Sequence, residues 1–216
     1  MTILLASATE QEVDLHNINL FKNGADKKID LLITGIGVAS TIYNLTKRLV
    51  QTKYDMVLQA GIAGSFTNDL QLGEVLLVRE DTFADCGVEE NGVFKNLFNS
   101  GLVNEKDFPF EKGWLVNQNE FLNAGFLKTI KAITINKITN NKKQINQQKN
   151  IFNADIESME GAALHYVCLQ TGIPFLQIRS ISNKVGERDK TKWKMKEAIR
   201  NLNNEVEKLL QSNYLF

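Results

Sequence analysis

Two acids, Glu157 and Glu160, stand at the start of "ESMEGAALHYVC" (157–168), followed by a small apolar surface of Ala162, Ala163, Leu164 and Val167. Glu160 lies between Met159 and Gly161, in a neighbourhood expected to be buried. A carboxylate there is costly unless something pairs with it, so either the fold or a ligand must supply the partner. Glu157 suits a helix N-terminus, where the dipole and free backbone N–H groups satisfy an acid. Further candidates are Glu10 and Glu12 in "ATEQEV" (8–13), Arg179 and Asn183 in "IRSISN" (178–183), and the glycine-bearing loops "TGIGVAS" (34–40) and "AGIAGSF" (60–66). Glycines in such loops let backbone approach a ligand closely. A dinucleotide fingerprint is a poor match, because "TGIGVAS" is not at the first βα turn and Ser40 stands where the third glycine would be.

The elements that must position these residues follow from hydrophobic patterning. Continuous apolar runs at 2–8, 29–37, 55–64, 74–80, 132–139 and 174–182 predict strands covered on both faces, as in a mostly parallel sheet. Helical patterns fall at 39–52, 118–130, 158–171 and 190–211. The alternation predicts an α/β fold of right-handed βαβ units: one domain over 1–216, its central, mostly parallel, twisted sheet flanked by helices. In such sheets ligands lie beyond the carboxyl ends of the strands, which is where Glu12, the two glycine loops and "RSISN" fall. The segment 83–113, with mixed periodicity and several turn signals, reads as an insertion or lid near the site. The polar run "NNKKQINQQKN" (140–150) reads as a solvated loop or helix face.

Composition narrows the function. Twenty-five Lys and Arg balance twenty-five Asp and Glu and are scattered, so no footprint for nucleic acid is visible and the expected partner is a small molecule. "MTILLASATEQE" has no basic region before its apolar run, and no run is long enough to span a membrane, which predicts a cytoplasmic protein. Cys86 and Cys168 have no metal-ligand spacing, and the histidines are His16 and His165 alone, so reduced thiols, no metal and no cofactor are expected. His165 and Cys168 read as core residues.

"ATEQEV", "TGIG", "AGIAGSF", "SMEGAALHYVC" and "IRSISN" occur in the order of the motifs of the purine nucleoside phosphorylase and nucleosidase superfamily, which the chain resembles from residue 1 to about 205. Within it, "ESMEGAA" followed by "IRSISNKVGERD" and Trp193 looks most like the futalosine hydrolase family of menaquinone biosynthesis. The resemblance implies hydrolysis of an N-ribosidic bond through an oxocarbenium-like state, in a homo-oligomer. It makes Glu12 the base that activates water, Glu160 the acceptor of ribose 2′ and 3′ hydroxyls, and Met159 a contact to the sugar face. Ala60, Gly61, Ser158 and Ser182 are carried over as substrate contacts. Arg179 matches an arginine near the water and the ribose acid, with a plain structural ion pair as the alternative. Bacterial phosphorylases of this superfamily place an arginine and a serine for phosphate where this chain has Gln59 and Ile62, which favours water as acceptor. Adenine-releasing members carry Asp at position 183. Asn183 can accept from N7–H and donate to O6 of hypoxanthine, whereas a 6-amino group would face a second donor; a turn role is its alternative. An inosine-type phosphorylase, an adenine-releasing nucleosidase and a non-catalytic nucleoside-binding protein remain the competing readings.

Overall fold

A computed structural model describes residues 1–14 and 27–212; His16 lies outside them. Strands β1 (Thr2–Ser7), β2 (Lys28–Ile33), β3 (Met56–Ser65), β4 (Val75–Asp81), β7 (Leu115–Val116), β8 (Thr129–Thr134), β9 (Ile156–Ser158) and β10 (Phe175–Lys184) form one sheet. A separate hairpin, β5 (Gly87–Glu90) and β6 (Val93–Asn96), stands apart from it. The helices are α1 (Val38–Gln51), α2 (Lys142–Phe152), α3 (Gly161–Thr171) and α4 (Met195–Gln211).

The sheet is mixed. Parallel pairings join β1 to β2 and β3, β3 to β10, β4 to β8 and β8 to β9, while β10–β4, β3–β9 and β4–β7 are antiparallel. Strand β3 is the hub, with β10 along nearly its whole length on one side. Its other side is divided: β1 pairs with Met56–Gln59, β9 pairs with Gly64 and Ser65, and Ala60–Ala63 between them have no ladder partner there. That opening is where the site forms.

Alternation along the strands explains why they read as continuously apolar. Ile3 and Leu5 of β1, with Met56 and Leu58 of β3, pack against Leu202, Val206, Leu209 and Leu210 of α4. Leu4, Ala6 and Val57 face the opposite layer, meeting Leu45 of α1 and Leu164, Val167 and Cys168 of α3. Both cysteines are free, and burial pushes their thiols upward.

Several sequence expectations need correction. The helix expected over 118–130 is a 3₁₀ turn, Glu120–Asn123, with the Asn119 side chain accepting from the Phe121 N–H; Gly125 (φ 69°) then breaks the path and β8 begins at Thr129. The strand expected at 132–139 is accordingly shifted towards the N-terminus. The helix expected from 158 starts at Gly161, because Ile156–Ser158 instead close the far end of β3 as β9. The polar run at 140–150 is largely helix α2, capped by Asn141, whose side chain accepts from the N–H groups of Lys143 and Gln144.

Leu202 is fully buried between α4 and the sheet. Leu202→Ala should cost about 2–5 kcal/mol, read as a lower urea midpoint with unchanged slope; a loss under about 1 kcal/mol would mean that α4 does not carry this core.

Candidate active site

A cavity of about 290 Å³ opens at the divided edge of β3, close to the lower end of the range of small-molecule sites. Its wall includes Glu12, Glu157, Glu160, Met159, Ser182 and Asn183. The carboxyl ends of β1, β3 and β10 thus converge, as the sequence leads one to expect, and β9, which it does not, joins them.

Glu12 is held by the unpaired stretch of β3. Its Oε1 accepts the Ile62 N–H (3.1 Å), which no neighbouring strand claims. Its Oε2 accepts from the Thr9 N–H (3.2 Å) and Thr9 hydroxyl (3.2 Å), with the Ser7 hydroxyl at 3.4 Å. Asn203 of α4 fastens the same turn by donating to the Glu12 carbonyl (2.9 Å). Glu10 is exposed, a surface residue.

Glu160 has partners in the fold. Oε1 accepts the Gly37 N–H (3.0 Å) and Oε2 lies 3.6 Å from Arg179 Nη1. Gly37 sits at φ 88°, a left-handed conformation that glycine adopts without strain, and it turns the N–H ahead of α1 towards the carboxylate. Burial raises the Glu160 pKa, while the Arg179 charge and the Gly37 N–H oppose the rise.

Arg179 is 1% exposed and does not line the cavity; it lies behind Glu160, with Nη2 donating to Gln59 Oε1 (2.7 Å). Gly61 makes this possible: a Cβ there would overlap Arg179 Nη1 and sit 3.2 Å from Glu12 Oε1. Arg179 therefore acts on the site through Glu160. Ala60 and Gly61 form no part of the wall, which Ile62, Ala63 and Gly64 supply instead. Ser158 lines it, its hydroxyl oxygen accepting the Gly161 N–H (3.3 Å). The Asn183 amide is oriented by its neighbours, Oδ1 accepting from the Ser182 hydroxyl (2.8 Å) and Nδ2 donating to the Lys184 carbonyl (2.9 Å). Each end keeps one valence for a ligand.

Three features depart from the sequence reading. No described residue of 83–113 lines the cavity; the β5–β6 hairpin instead packs towards α2, where Gln147 donates to the Phe94 carbonyl (3.3 Å). Arg188, which no sequence motif singles out, is the only cation on the cavity wall among the described residues. Its guanidinium lies over the Trp193 ring (5.7 Å), in a loop stapled by the Trp193 Nε1 bond to the Glu187 carbonyl (3.0 Å) and by Lys192–Glu187 (3.0 Å). Finally, Glu157 is not a helix-terminal acid: it belongs to β9, is 6% exposed, and lines the cavity. The dipole that would satisfy it begins four residues later, at Gly161.

The described residues contain no cluster of His, Cys, Asp and Glu able to hold a metal. His165 is buried with Nδ1 2.8 Å from the Leu115 carbonyl, and burial lowers its pKa to about 4. No helix among the described residues is long and apolar enough to cross a membrane.

Comparison with known proteins supplies the family. The sequence profile of the phosphorylase superfamily matches residues 7–211. The chain belongs to that superfamily. It is 30% identical over 183 residues to a futalosine hydrolase of Thermus thermophilus, covering 83% of this chain and 80% of the relative. It is 29% identical over 185 residues to a futalosine hydrolase of Streptomyces coelicolor, covering 83% and 77%. The fold matches the structure of a 5′-methylthioadenosine/S-adenosylhomocysteine nucleosidase from Colwellia psychrerythraea bound to adenine, with a TM-score of 0.79 at 19% identity, covering 97% of this chain and 94% of the other.

Burial raises the Glu157 pKa to about 7. The folded state thus holds a proton that the unfolded chain has already released, so stability is greatest below the ordinary glutamate range and falls as pH rises to about 7. Glu157→Gln removes that loss: its melting temperature should exceed that of the wild type at pH 8 by at least about 2 °C and converge with it near pH 4.5. A constant difference across this range would show that Glu157 does not titrate as described.

Proposed function

We propose that the protein is a nucleosidase that hydrolyses the N-ribosidic bond of futalosine, releasing hypoxanthine and dehypoxanthine futalosine in menaquinone biosynthesis. The observation that carries the reading is the pairing, across one cavity, of a held carboxylate (Glu12) with an Arg179-backed carboxylate (Glu160), with Gln59 and Ile62, not cations, at the phosphate-binding positions. The names of its relatives in Thermus and Streptomyces supply the substrate.

In this reading Glu160 accepts from the ribose 2′ and 3′ hydroxyls, and its charge faces the sugar as positive charge develops at C1′. Arg179 keeps that carboxylate ionised and in place. Water attacks C1′ and gives a proton to Glu12 Oε1, which has a lone pair beyond the one taken by Ile62. The C1′–N9 bond pair leaves with the base, which takes up a proton from solvent at N7; that N7–H donates a hydrogen bond to Asn183 Oδ1, while Nδ2–H donates to O6. Met159 packs against the sugar. Ile62 and Gln59 support water over phosphate as acceptor: the Ile62 N–H is occupied by Glu12 and the Gln59 oxygen by Arg179.

Futalosine differs from inosine in carrying a 3-carboxybenzoyl tail in place of the 5′ hydroxyl. Arg188 with Trp193 offers a cation and an aromatic face, the two groups such a tail needs. Exposed Ile36 and Ile138 on the wall invite burial by the tail or by a second copy of the chain.

Incubation with futalosine should release hypoxanthine at a rate independent of phosphate, and Glu12→Gln should lower kcat by about 10²-fold or more with binding retained. Release only in the presence of phosphate would make the protein a phosphorylase, and an unchanged kcat would remove Glu12 from the chemistry. Arg188→Ala should raise KM for futalosine about tenfold while leaving inosine unaffected, the loss of one charge-assisted contact. Equal effects on both nucleosides would place Arg188 away from the tail.

A further inference from the structure

Asp81 is a fully buried acid to which the proposed chemistry gives no part. It ends β4, away from the cavity wall. Its Oδ1 accepts from the Thr82 N–H (2.8 Å) and the Thr134 hydroxyl (2.9 Å), and its Oδ2 from Gln177 Nε2 (3.2 Å). Burial pushes its pKa up to about 7, against the pull of Thr134, Gln177, the Arg179 charge and Thr82. An acid kept in so costly a place calls for a reason beyond filling the core.

The reason lies in how α3 begins. Its N-cap residue is Glu160, whose side chain makes no capping bond and is turned instead to Gly37 and Arg179. The first N–H groups of the helix still need acceptors. Neighbouring strands supply them: the Gly161 N–H donates to the Ser158 hydroxyl oxygen (3.3 Å) and the Ala162 N–H to that of Thr134 (2.7 Å). Thr134 can hold a lone pair towards Ala162 only while its own proton points elsewhere, and Asp81 takes that proton's bond. The same acid touches the turn directly. A Cβ on Gly161 would overlap Asp81 Oδ2 and Gln177 Nε2, so the peptide that follows Glu160 rests on this pair. Gln177 stands two residues before Arg179 on β10, so one face of that strand presents both the seat of Gly161 and the partner of Glu160.

We infer that Asp81 is a positioning residue for the ribose acid: by orienting the Thr134 hydroxyl and seating Gly161 it caps α3 from outside, which leaves the Glu160 carboxylate free to face the sugar. This rests on the reading above that Glu160 meets the ribose, and it extends the site into β4 and β8, neither of which reaches the cavity wall. Loss of the cap should shift the carboxylate and leave the base end of the cavity in place, so its effect is confined to ligands that carry a ribose.

Turnover of futalosine, measured beside calorimetric binding of free hypoxanthine, separates positioning from general damage, because the free base has no ribose. Asp81→Ala and the isosteric Thr134→Val should each lower kcat by about tenfold or more, with hypoxanthine affinity within about twofold of the wild type. Thr134→Ser, which keeps the hydroxyl, should turn over as the wild type does. Thr134→Val decides alone if Asp81→Ala does not fold. Wild-type kcat in Thr134→Val, or hypoxanthine affinity that falls in step with kcat, would overturn the inference. Glu160→Gln tells it apart from the reading beneath it: a slow Glu160→Gln beside a fast Thr134→Val would uphold the ribose acid and refute its positioning by Asp81, whereas wild-type kcat in Glu160→Gln would refute both. A wild type that leaves futalosine intact would refute the substrate alone, and inosine affinity then takes the place of kcat in the same comparison.

Discussion

The site depends on one backbone N–H that the sheet leaves unclaimed. Strand β3 changes partner on one side, from β1 to β9, and between them Ile62 is free to donate to Glu12. Were the ladder continuous, that donor would be spent on a neighbouring strand and Glu12 would have no fixed place at its end. The same discontinuity lets Gly61 accommodate the Arg179 guanidinium, which in turn neutralises Glu160. Two carboxylates and one arginine are thus assembled in one buried setting, where burial works against the charged form of Glu160 and Arg179 opposes it.

The rest of the molecule fixes the geometry of that opening. Alternation along β1 and β3 commits one face to α4 and the other to α1 and α3, so the strand ends cannot slide relative to each other without moving an apolar face out of its layer. Helix α4 also reaches the site directly, through Asn203 and the Glu12 carbonyl. The glycines of "TGIG" and "AGIAG" serve different ends. Gly37 aims an N–H at Glu160, whereas Gly61 makes room for a side chain from the adjacent strand.

Much of this was legible in the sequence. The order of strands and glycine loops placed Glu12, Ser182 and Asn183 at one end of a sheet, because apolar periodicity reports which strands are covered and strand ends report where ligands lie, and the family resemblance added Met159 and Glu160. What periodicity does not carry is pairing direction. A three-residue strand such as β9 has too few residues to show a period, so Glu157 read as the first turn of a helix rather than as a strand residue facing a cavity. The 3₁₀ turn at Glu120–Asn123 misled for a related reason, since its apolar residues have helical spacing but its cap, Asn119, and Gly125 are only six positions apart. Arg188 was hidden in a polar loop whose shape is set by tertiary bonds to Trp193 and Lys192.

The central claim, that the opening in β3 aligns both acids through the space at Gly61, is most directly tested by the kinetics of Gly61→Ala on futalosine, with unfolding followed in parallel. The added methyl group must displace the Arg179 guanidinium or the Glu12 carboxylate. In Gly61→Ala, kcat should fall by about 10²-fold or more in a protein that still unfolds cooperatively, because displacement of about 1 Å is enough to misalign reacting groups. A Gly61→Ala protein with wild-type kcat would contradict it.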